Sequence, residues 1–389
     1  MIARIFIPII LAIVLPDLYF DQHYLRRSSW RTWWKRMLWW LPSVILLGYT
    51  VALASIRNFA PDDLSWLNIY LFLIGSIVAP KAIFALCSGA GLLYSRLTHT
   101  RHNWGNLIAL PLCAFLLYLL VYGSTLGFRK LEIRHIDIYS RELPKAFDGY
   151  RIAQFSDAHV GTLTGSRRRI ITRFVDSLNA QKADAIVFTG DLQNMQPAEL
   201  EPVHDLLKSL HAKDGVFSVL GNHDYSQYIQ TDPATKMAHE RETISRERQF
   251  GWTLLLNEHR IIRRGKDSLV IAGEENDGRP PFPHRGNINK TLAGIAPSAY
   301  VVMLQHDPSA WRRSILPRSH AQLTLSGHTH GGQIQLFGLR PTMLSCKEDY
   351  GLYLDGHRAL YVSAGVGALI PFRFGIPGEI AVITLHKLP

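Results

Sequence analysis

The pattern of apolar and polar positions divides the chain into two parts. Leu, Ile, Val and aromatic residues dominate up to about Phe128, whereas most acidic residues lie after that point. Four stretches of the first part are long and apolar enough to cross a bilayer as helices: residues 2–20, 37–56, 66–86 with a continuation to 94, and 107–128. We therefore predict an all-α transmembrane region of about four helices in residues 1–128, followed by a second domain in residues 129–389.

The second part contains five short apolar runs that each end in a polar cluster. These runs cover residues 150–155, 185–189, 215–220, 300–305 and 321–325. Runs of this length, rich in β-branched residues and bounded by Gly or Asp, predict buried strands, and the segments between them predict helices in part. Because ligands in open α/β sheets collect at the carboxyl ends of strands, we expect the polar clusters to converge on one site.

The polar clusters are rich in the side chains that bind divalent metals. They comprise Asp157, His159, Asp191, Asn222, His223, Asp224, His306, His328 and His330. Carboxylate, amide and imidazole donors without a thiolate suit Mn, Fe or Zn better than a calcium cage. The donors are too numerous for one ion, and paired ions are a common means of clamping the oxygens of a phosphoryl group. The sequence therefore favours two divalent ions, with Asp191, in a tight Gly-Asp turn, as the best candidate to bridge them.

In order and spacing, these motifs resemble those of the calcineurin-like metallophosphoesterase superfamily. The matching segments are Asp157-x-His159, Gly190-Asp191, Gly221-Asn222-His223-Asp224, His306 and Gly327-His328-Thr329-His330. The continuation Gly331-Gly332-Gln333 resembles the bacterial membrane-associated phosphohydrolase branch. The likeness extends from Leu131 to the C-terminus and implies an α/β fold, a four-layer sandwich of two mixed sheets flanked by helices.

The resemblance also implies a role for each motif residue. One metal would be held by Asp157, His159, Asp191 and His330, and the other by Asp191, Asn222, His306 and His328. His223 would donate a proton to the leaving oxygen, with Asp224 orienting it, while a hydroxide that bridges the metals attacks phosphorus. The family often has an acidic residue soon after the bridging Asp, but here Gln193-Asn194 follows. Substrate contacts at that position are therefore not predicted.

These features lead to a prediction of function and to two alternatives. We predict a membrane-anchored, dinuclear-metal-dependent phosphoesterase that hydrolyses a phosphomonoester or phosphodiester associated with lipid or envelope. The first alternative is a pyrophosphatase of a nucleotide-sugar lipid, of the UDP-diacylglucosamine type, on the cytoplasmic face. The second is a membrane scaffold that binds metals without catalysis. A missing ligand would favour the scaffold, and none of the family ligands is missing.

The positive net charge of the chain limits the classes of partner that we expect. The formal net charge is +11, which is compatible with nucleic acid, anionic lipid or a phosphate-bearing substrate. No motif that combines aromatic and basic residues for nucleic-acid binding accompanies it. We therefore expect a phosphoester substrate, lipid-linked in one reading, and membrane lipids as partners, and we expect no nucleic acid.

Flanking charges predict the orientation in the membrane. Residues 21–36 contain five Arg or Lys, whereas residues 57–65 contain one Arg and two Asp. Positive charge is retained on the cytoplasmic side, so the first loop should lie inside and everything after Phe128 outside the cytoplasm. The basic residues after the last span oppose this prediction: Arg129, Lys130, Arg134, Arg141 and Lys145. The three cysteines mark no compartment, because Cys87 and Cys113 lie in predicted spans and Cys346 stands alone.

Four further expectations concern local features. Residues 252–256, 260–264 and 268–272 are predicted to be short strands of a second sheet. The acidic segment 274–277 is predicted to be a surface turn, although its acids could approach a metal. The loop 365–378, which contains Arg373, could bind a lipid-linked phosphate or be a plain hydrophobic surface loop. In the membrane part we expect no paired ionisable residues of the transporter kind. Lys81, beside Pro80, is either functional, reaches toward the interface or lies at a helix break.

Overall fold

The computed structural model describes residues 5–56, 61 and 63–389. The described chain forms two compact units, which divide between Ser124 and Thr125, except that Pro61 and Asp63 group with the second unit. Residues 2–4 of the first predicted span, and Arg57 and Asp62 of the loop after the second predicted span, lie outside the described residues.

The first unit is helical and contains four helical segments long and apolar enough to span a membrane, which confirms the predicted number. These segments are Phe6–Arg27, Trp33–Ala54, Ser65–Thr98 and Trp104–Gly127. Their α-helical parts are α1 (Phe6–His23), α2 (Trp33–Ala54), α3 (Ser65–Leu73), α4 (Ala79–Thr98) and α5 (Trp104–Tyr122). A π-helical turn, Ile74–Val78, joins α3 to α4 immediately before Pro80.

A buried ion pair crosses this helical unit, contrary to the expectation that it has no paired ionisable residues. The Lys81 ammonium on α4 donates to Asp17 Oδ1 on α1 at 2.8 Å and to Ser43 Oγ on α2 at 3.3 Å. Trp39 Nε1 donates to the same Asp17 oxygen at 2.9 Å. Asp17 is fully buried. A charge in an apolar environment is stable only when paired, so Lys81 turns inward to its partner and does not extend to the membrane surface.

The second unit is built on two mixed six-stranded sheets. The first sheet has the strand order β1-β12-β2-β3-β4-β5, and the second has the order β10-β11-β9-β8-β7-β6. The strands of the first sheet are β1 (Leu131–Ser140), β2 (Tyr150–Phe155), β3 (Ala185–Phe188), β4 (Val216–Ser218), β5 (Thr253–Leu254) and β12 (Gly378–Lys387). Those of the second are β6 (Glu258–Arg264), β7 (Asp267–Gly273), β8 (Tyr300–Leu304), β9 (Leu323–Ser326), β10 (Gly351–Asp355) and β11 (Arg358–Val362).

The strand after residue 250 joins a different sheet from the one predicted. Thr253 pairs in parallel with Phe217 of β4, and Leu255 N–H donates to the Ser218 carbonyl at 2.9 Å. Without β5, the backbone polar groups on one side of β4 would lack hydrogen-bond partners. The chain pairs β5 with β4 before it crosses to the second sheet. Of the three predicted strands, therefore, only the last two belong to the second sheet.

Apolar side chains of the two sheets meet face to face, and helices cover both outer faces. The inner layer includes Ile152, Val187 and Phe217 from the first sheet and Leu269 and Val302 from the second, all at most 4% exposed. The helices of this unit are α6 (Arg168–Ala180), α7 (His204–Lys208), α8 (Pro233–Gln249), α9 (Ile288–Thr291) and α10 (Leu316–Arg318). Helix α6 packs on the first sheet, and the segment around Trp311 packs on the second. The result is the predicted four-layer α/β sandwich.

Candidate metal centre

The metal-binding motifs follow the carboxyl ends of five strands, each of which runs parallel to at least one neighbour. Strands β2, β3 and β4 pair in parallel within the first sheet, and β8 and β9 do so within the second. Asp157 and His159 follow β2, Asp191 follows β3, and Asn222 follows β4. His306 follows β8, and the two histidines of the Gly-His-x-His motif follow β9. The sandwich therefore brings both sets of strand ends to one location, as predicted from the sequence.

At this location the side chains form three groups suited to metal binding. The groups are Asp157, His159 and His330; His159, Asp191 and His223; and Asp191, His306 and His328. Within each group the donor atoms lie within 4.8 Å of one another. The groups overlap at His159 and at Asp191, so they form one continuous centre.

Distances at the two ends of the centre are short. His330 Nε2 lies 3.2 Å from Asp157 Oδ1 at one end. At the other end His306 Nε2 lies 3.2 Å from Asp191 Oδ2 and 3.1 Å from Asn222 Oδ1. His159 Nε2 lies 3.8 Å from the same Asp191 oxygen. One oxygen of Asp191 therefore faces imidazoles from both ends.

Two of these imidazoles are fixed so that Nε2 faces the centre. His159 Nδ1 is 3.1 Å from Asn194 Oδ1, and His306 Nδ1 is 2.7 Å from the Thr189 carbonyl oxygen. In the neutral imidazole, an oxygen acceptor at Nδ1 favours the tautomer that carries the proton there, so Nε2 is the nitrogen that can bind a metal. Metal-ligating histidines are normally anchored in this way, so the donor set fits a divalent metal.

The backbone at the centre is strained. Five residues of the predicted ligand set have left-handed φ angles: Asp157 (51°), His159 (43°), Asp191 (64°), His328 (75°) and His330 (52°). Each such residue costs about 1–3 kcal/mol and persists only when its surroundings impose it. This concentration of strain is typical of a functional site.

Glycines allow the motif loops to approach each other. A Cβ on Gly221 would lie 2.2 Å from Asp191 Oδ1, and a Cβ on Gly327 would lie 1.9 Å from Ser156 Oγ and 2.3 Å from Asp157 Oδ2. Any larger residue would displace a carboxylate of the centre. These two positions require glycine for space rather than for an unusual φ.

His223 and Asp224 are both at the centre, but they are not paired with each other as predicted. His223 Nδ1 is 2.5 Å from the Asn194 carbonyl oxygen. The Asp224 carboxylate instead accepts backbone N–H groups, from Asp191 and Gly221 at 2.8 Å and from the two residues after Asp191 at 2.9 and 3.3 Å. It therefore fixes the loop that carries Asp191, and the backbone of Asn194 takes the place predicted for Asp224.

Comparison with known proteins agrees with this geometry. Residues 150–332 match the family model described as calcineurin-like phosphoesterase, and residues 3–128 match the model of a probable calcineurin-like phosphoesterase transmembrane domain. The uncharacterized metallophosphoesterase YkuE of Bacillus subtilis is 31% identical over 276 residues, which cover 68% of this chain and 89% of YkuE. The chain belongs to the calcineurin-like metallophosphoesterases. It is a metal-dependent phosphoric ester hydrolase with an N-terminal transmembrane domain, and members of this family normally bind two divalent metals.

Two vertebrate proteins are also similar. A transmembrane protein with metallophosphoesterase domain from Danio rerio is 29% identical over 278 residues, which cover 69% of this chain and 60% of the relative. This chain thus spans less than two thirds of that relative's length. The crystal structure of a dimetal phosphatase from Danio rerio is 13% identical, with a TM-score of 0.34, and the match covers 56% of this chain and 88% of that one.

The charges of the metallophosphoesterase centre are strongly coupled. Burial raises the pKa of Asp157 to about 6 and lowers the pKa of His159 to about 3. Burial also opposes ionisation of Asp191 and His306, but their mutual attraction outweighs it. The pKa of Asp191 is therefore held well below its usual range, and that of His306 is raised to about 10. Bound cations would take over the compensation of these carboxylates.

Two residues that sequence reasoning missed organise the centre. Asn194 contacts both His159 and His223, and its Nδ2 donates to Thr162 Oγ1 at 2.9 Å. Tyr228 accepts a hydrogen bond from Asn222 Nδ2 at 2.7 Å and packs its ring 4.4 Å from that of His223. The available signal for Asn194 was its position three residues after Asp191. Tyr228 belongs to no motif.

Arg373 is a structural residue rather than the exposed phosphate contact that was one of the predicted options. Its guanidinium is fully buried and donates to the carbonyl oxygens of Ala364, Gly365, Gly367 and Pro377 at 2.6–3.1 Å. Burial lowers its pKa to about 10. The loop that it holds packs on the centre, because a Cβ on Gly365 would lie 2.7 Å from Asp157 Cβ. The Arg373 side chain is therefore not available to bind the phosphate of a lipid.

The acidic segment after β7 is buried, in contrast to the predicted surface turn. Glu274 accepts from Gln305 Nε2 at 3.0 Å, beside the predicted ligand His306. Asp277 accepts from Ser314 Oγ at 2.8 Å and pairs with Arg313 at 2.9 Å. These acids support the end of β8, and among the described residues they belong to none of the three metal-binding groups.

Proposed function

We propose that this metallophosphoesterase hydrolyses phosphomonoesters or phosphodiesters with two divalent ions, of which Mn, Fe or Zn suit the donors best. Asp157, His159, Asp191 and His330 would hold one ion, and Asp191, Asn222, His306 and His328 the other. Asp191 is common to both sets. When bound, the ions would supply Lewis acidity, which would withdraw charge from a phosphoryl oxygen and make water more acidic.

The position of Asp191 is the observation that carries this proposal. Its Oδ2 lies between His306 Nε2 at 3.2 Å and His159 Nε2 at 3.8 Å, and Asp191 belongs to two of the three metal-binding groups. The other carboxylate oxygen, Oδ1, accepts the His223 backbone N–H at 2.8 Å, which holds the side chain in this orientation. A carboxylate fixed between two sets of imidazoles is suited to bridge two cations.

The roles of the neighbouring residues follow from their contacts. His223 is anchored through Nδ1 on the Asn194 carbonyl, so Nε2 is the nitrogen available to protonate a leaving oxygen. Asp224 would contribute indirectly, by holding the Asp191 loop. Tyr228 would fix the Asn222 amide with Oδ1 toward His306, because its hydroxyl accepts Nδ2–H.

The membrane part bears on the substrate and the location. We propose that residues 1–128 act as a transmembrane helical region that keeps the domain of residues 129–389 beside a bilayer. The substrate would then be a phosphoester carried by a lipid or found in the envelope. The charge difference between the loops at 21–36 and 57–65 favours an extracytoplasmic catalytic domain.

Replacement of the shared carboxylate tests the proposal. In Asp191→Asn we expect hydrolysis of bis(4-nitrophenyl) phosphate to be abolished and the metal content of the purified protein to fall, because a neutral amide cannot bridge two cations. Metal is measured by mass spectrometry. Asp176→Asn, an exposed position on α6, is the matched control and should retain both properties. Full activity in Asp191→Asn would remove the bridging assignment.

A further inference from the structure

A segment shortly after His328 and His330 exposes its apolar side chains and turns its polar side chains inward. We call residues 336–344 the apolar ridge. Phe337 and Leu344 are almost completely exposed, at 103% and 94%, and Leu339 and Met343 are also exposed. The polar residues of the same segment turn inward. Exposed apolar side chains in one contiguous group are rare on soluble surfaces and mark a surface that contacts an apolar partner.

The ridge is held rigidly by its polar side chains. Arg340 makes a bidentate ion pair with the buried Asp349, at 2.7 and 3.0 Å, and Thr342 Oγ1 donates to the same carboxylate at 2.9 Å. The guanidinium also lies 5.4 Å from the Tyr350 ring. Because these contacts fix the backbone of the segment, its apolar side chains are held in their outward positions by the fold.

The tip of the ridge is strained to expose Phe337. Leu336 and Leu339 exchange backbone hydrogen bonds at 3.0 and 2.9 Å, which makes Phe337-Gly338 the centre of a two-residue turn. Both central residues have positive φ, 51° at Phe337 and 82° at Gly338. Asn is the residue best suited to the first of these positions, and Phe is poorly suited to it. Neither the turn geometry nor solubility favours an exposed Phe at position 337. A contact with a partner would explain its presence there.

The ridge is continuous with the metal centre. His330 is followed by Gly331 and Gly332, and a Cβ on Gly332 would lie 3.1 Å from Thr342 Oγ1. The strand-like segment that leads to the ridge is paired with the Arg373 loop, through Gln335 N–H to the Phe374 carbonyl at 2.7 Å. An apolar partner at the ridge would therefore lie beside the metals.

We propose that the apolar ridge inserts into the interfacial region of a lipid bilayer and so presents the metal centre to a phosphoester on a membrane lipid. The presentation of a lipid phosphoester to the metal centre rests on the proposed hydrolytic function, whereas the insertion of the ridge does not. The chain supplies the partner, because its last candidate span ends at Gly127 and β1 begins at Leu131, so that a short linker tethers the domain that carries the ridge to a membrane-spanning helix. Phe and Leu side chains beside an exposed cation, here Lys347, are typical of interfacial anchors.

Depth measurements in a bilayer test the insertion. The full chain is reconstituted as single copies in nanodiscs of phosphatidylcholine and phosphatidylglycerol, with Cys87, Cys113 and Cys346 replaced by Ser. A nitrobenzoxadiazole fluorophore is attached to Phe337→Cys or, as a matched control, to Lys266→Cys in the exposed turn between β6 and β7. We expect blue-shifted emission at position 337 and quenching by doxyl-labelled lipid several-fold stronger than at 266.

Further variants separate insertion from other contacts. A probe at Leu339→Cys should lose most of its lipid quenching when Phe337→Asn and Leu344→Gln are added, while the metal content stays unchanged. Equal quenching at 337 and 266, with iodide in solution quenching both, would overturn the proposal. Shielding of position 337 that arises only when copies are crowded would assign the ridge to a second copy and also overturn it. Hydrolysis of bis(4-nitrophenyl) phosphate in the same discs reports separately on the proposed function.

Discussion

At the scale of single residues, the centre depends on side chains whose orientation is fixed by partners from distant strands. Asn194 follows β3, yet it sets the imidazoles of His159, after β2, and His223, after β4. Left-handed φ angles at Asp157 and Asp191 add strain that the surrounding hydrogen bonds must offset. The geometry of the centre therefore depends on contacts between the motifs as much as on the motif residues themselves.

His223→Ala separates proton donation from metal binding. With Nδ1 fixed on the Asn194 carbonyl, Nε2 is free to donate, so its loss should slow substrates with poor leaving groups most. We expect alkyl phosphodiesters to be affected far more than nitrophenyl ones in steady-state assays, at unchanged metal content. An equal loss for both substrates would argue against an acid role, and a loss of metal would make His223 a ligand, since it lies in one of the three groups.

Tyr228→Phe tests the support of Asn222. The variant leaves Asn222 Nδ2 without its acceptor and frees the amide to rotate away from His306. Loss of such a supporting hydrogen bond lowers metal affinity about 10–100-fold, and titration of the metal-stripped protein with Mn²⁺ would measure it. Tyr225→Phe is the control, because the Tyr225 hydroxyl is buried against Asn276 N–H and Glu275. It should lower stability without changing the affinity, and an unchanged affinity in Tyr228→Phe would refute the role.

At the scale of elements, parallel strands deliver the motifs and buried acids hold the strand ends in place. The end of β7 is tied to the end of β8 through Glu274 and Gln305, next to His306. Burial raises the pKa of Glu274 from 4.5 to about 7. The carboxyl therefore keeps its proton in the folded state at a pH where the unfolded chain has released it.

Glu274→Gln should change how stability depends on pH. Between pH 4.5 and about 7 the folded chain binds more protons at Glu274 than the unfolded chain, so this group makes stability fall as pH rises through that window. The loss amounts to about 3 kcal/mol at most. Thermal unfolding in detergent at pH 5 and pH 8 should show a smaller decline for Glu274→Gln than for the wild type. Glu132→Gln, at an exposed position of β1, should follow the wild type, and equal declines in all three would contradict the prediction.

At the scale of the whole molecule, a helical unit with membrane-spanning segments is joined to a metallophosphoesterase domain within one chain. The helical unit carries its own buried ion pair, Asp17 with Lys81. Together with Ser43 and Trp39 of α2, that pair connects three helices and gives the unit a defined packing beyond simple anchorage. Which side of the membrane the domain occupies decides which phosphoesters it can reach.

Reporter fusions would establish this orientation. We expect a periplasmic-type phosphatase reporter after Pro389 to be active in a bacterial host, and a fusion within residues 28–31 to be inactive, since positive charge is retained inside. A fluorescent protein that matures only in the cytoplasm provides the complementary control at both sites. The reverse pattern would favour the cytoplasmic pyrophosphatase alternative, in line with the basic residues that follow the last span.

The sequence by itself determined the spans, the five strands that precede the motifs, and the donors that converge at their ends. These features are local, because strand length, apolar pattern and terminal Asp or His all lie within a few residues. Only the tertiary structure decided that Thr253 pairs with β4, that Asn194 rather than Asp224 holds His223, and that Arg373 and Glu274 are buried. A side chain's burial and partner depend on elements far away in the chain, and neither is encoded in the local pattern.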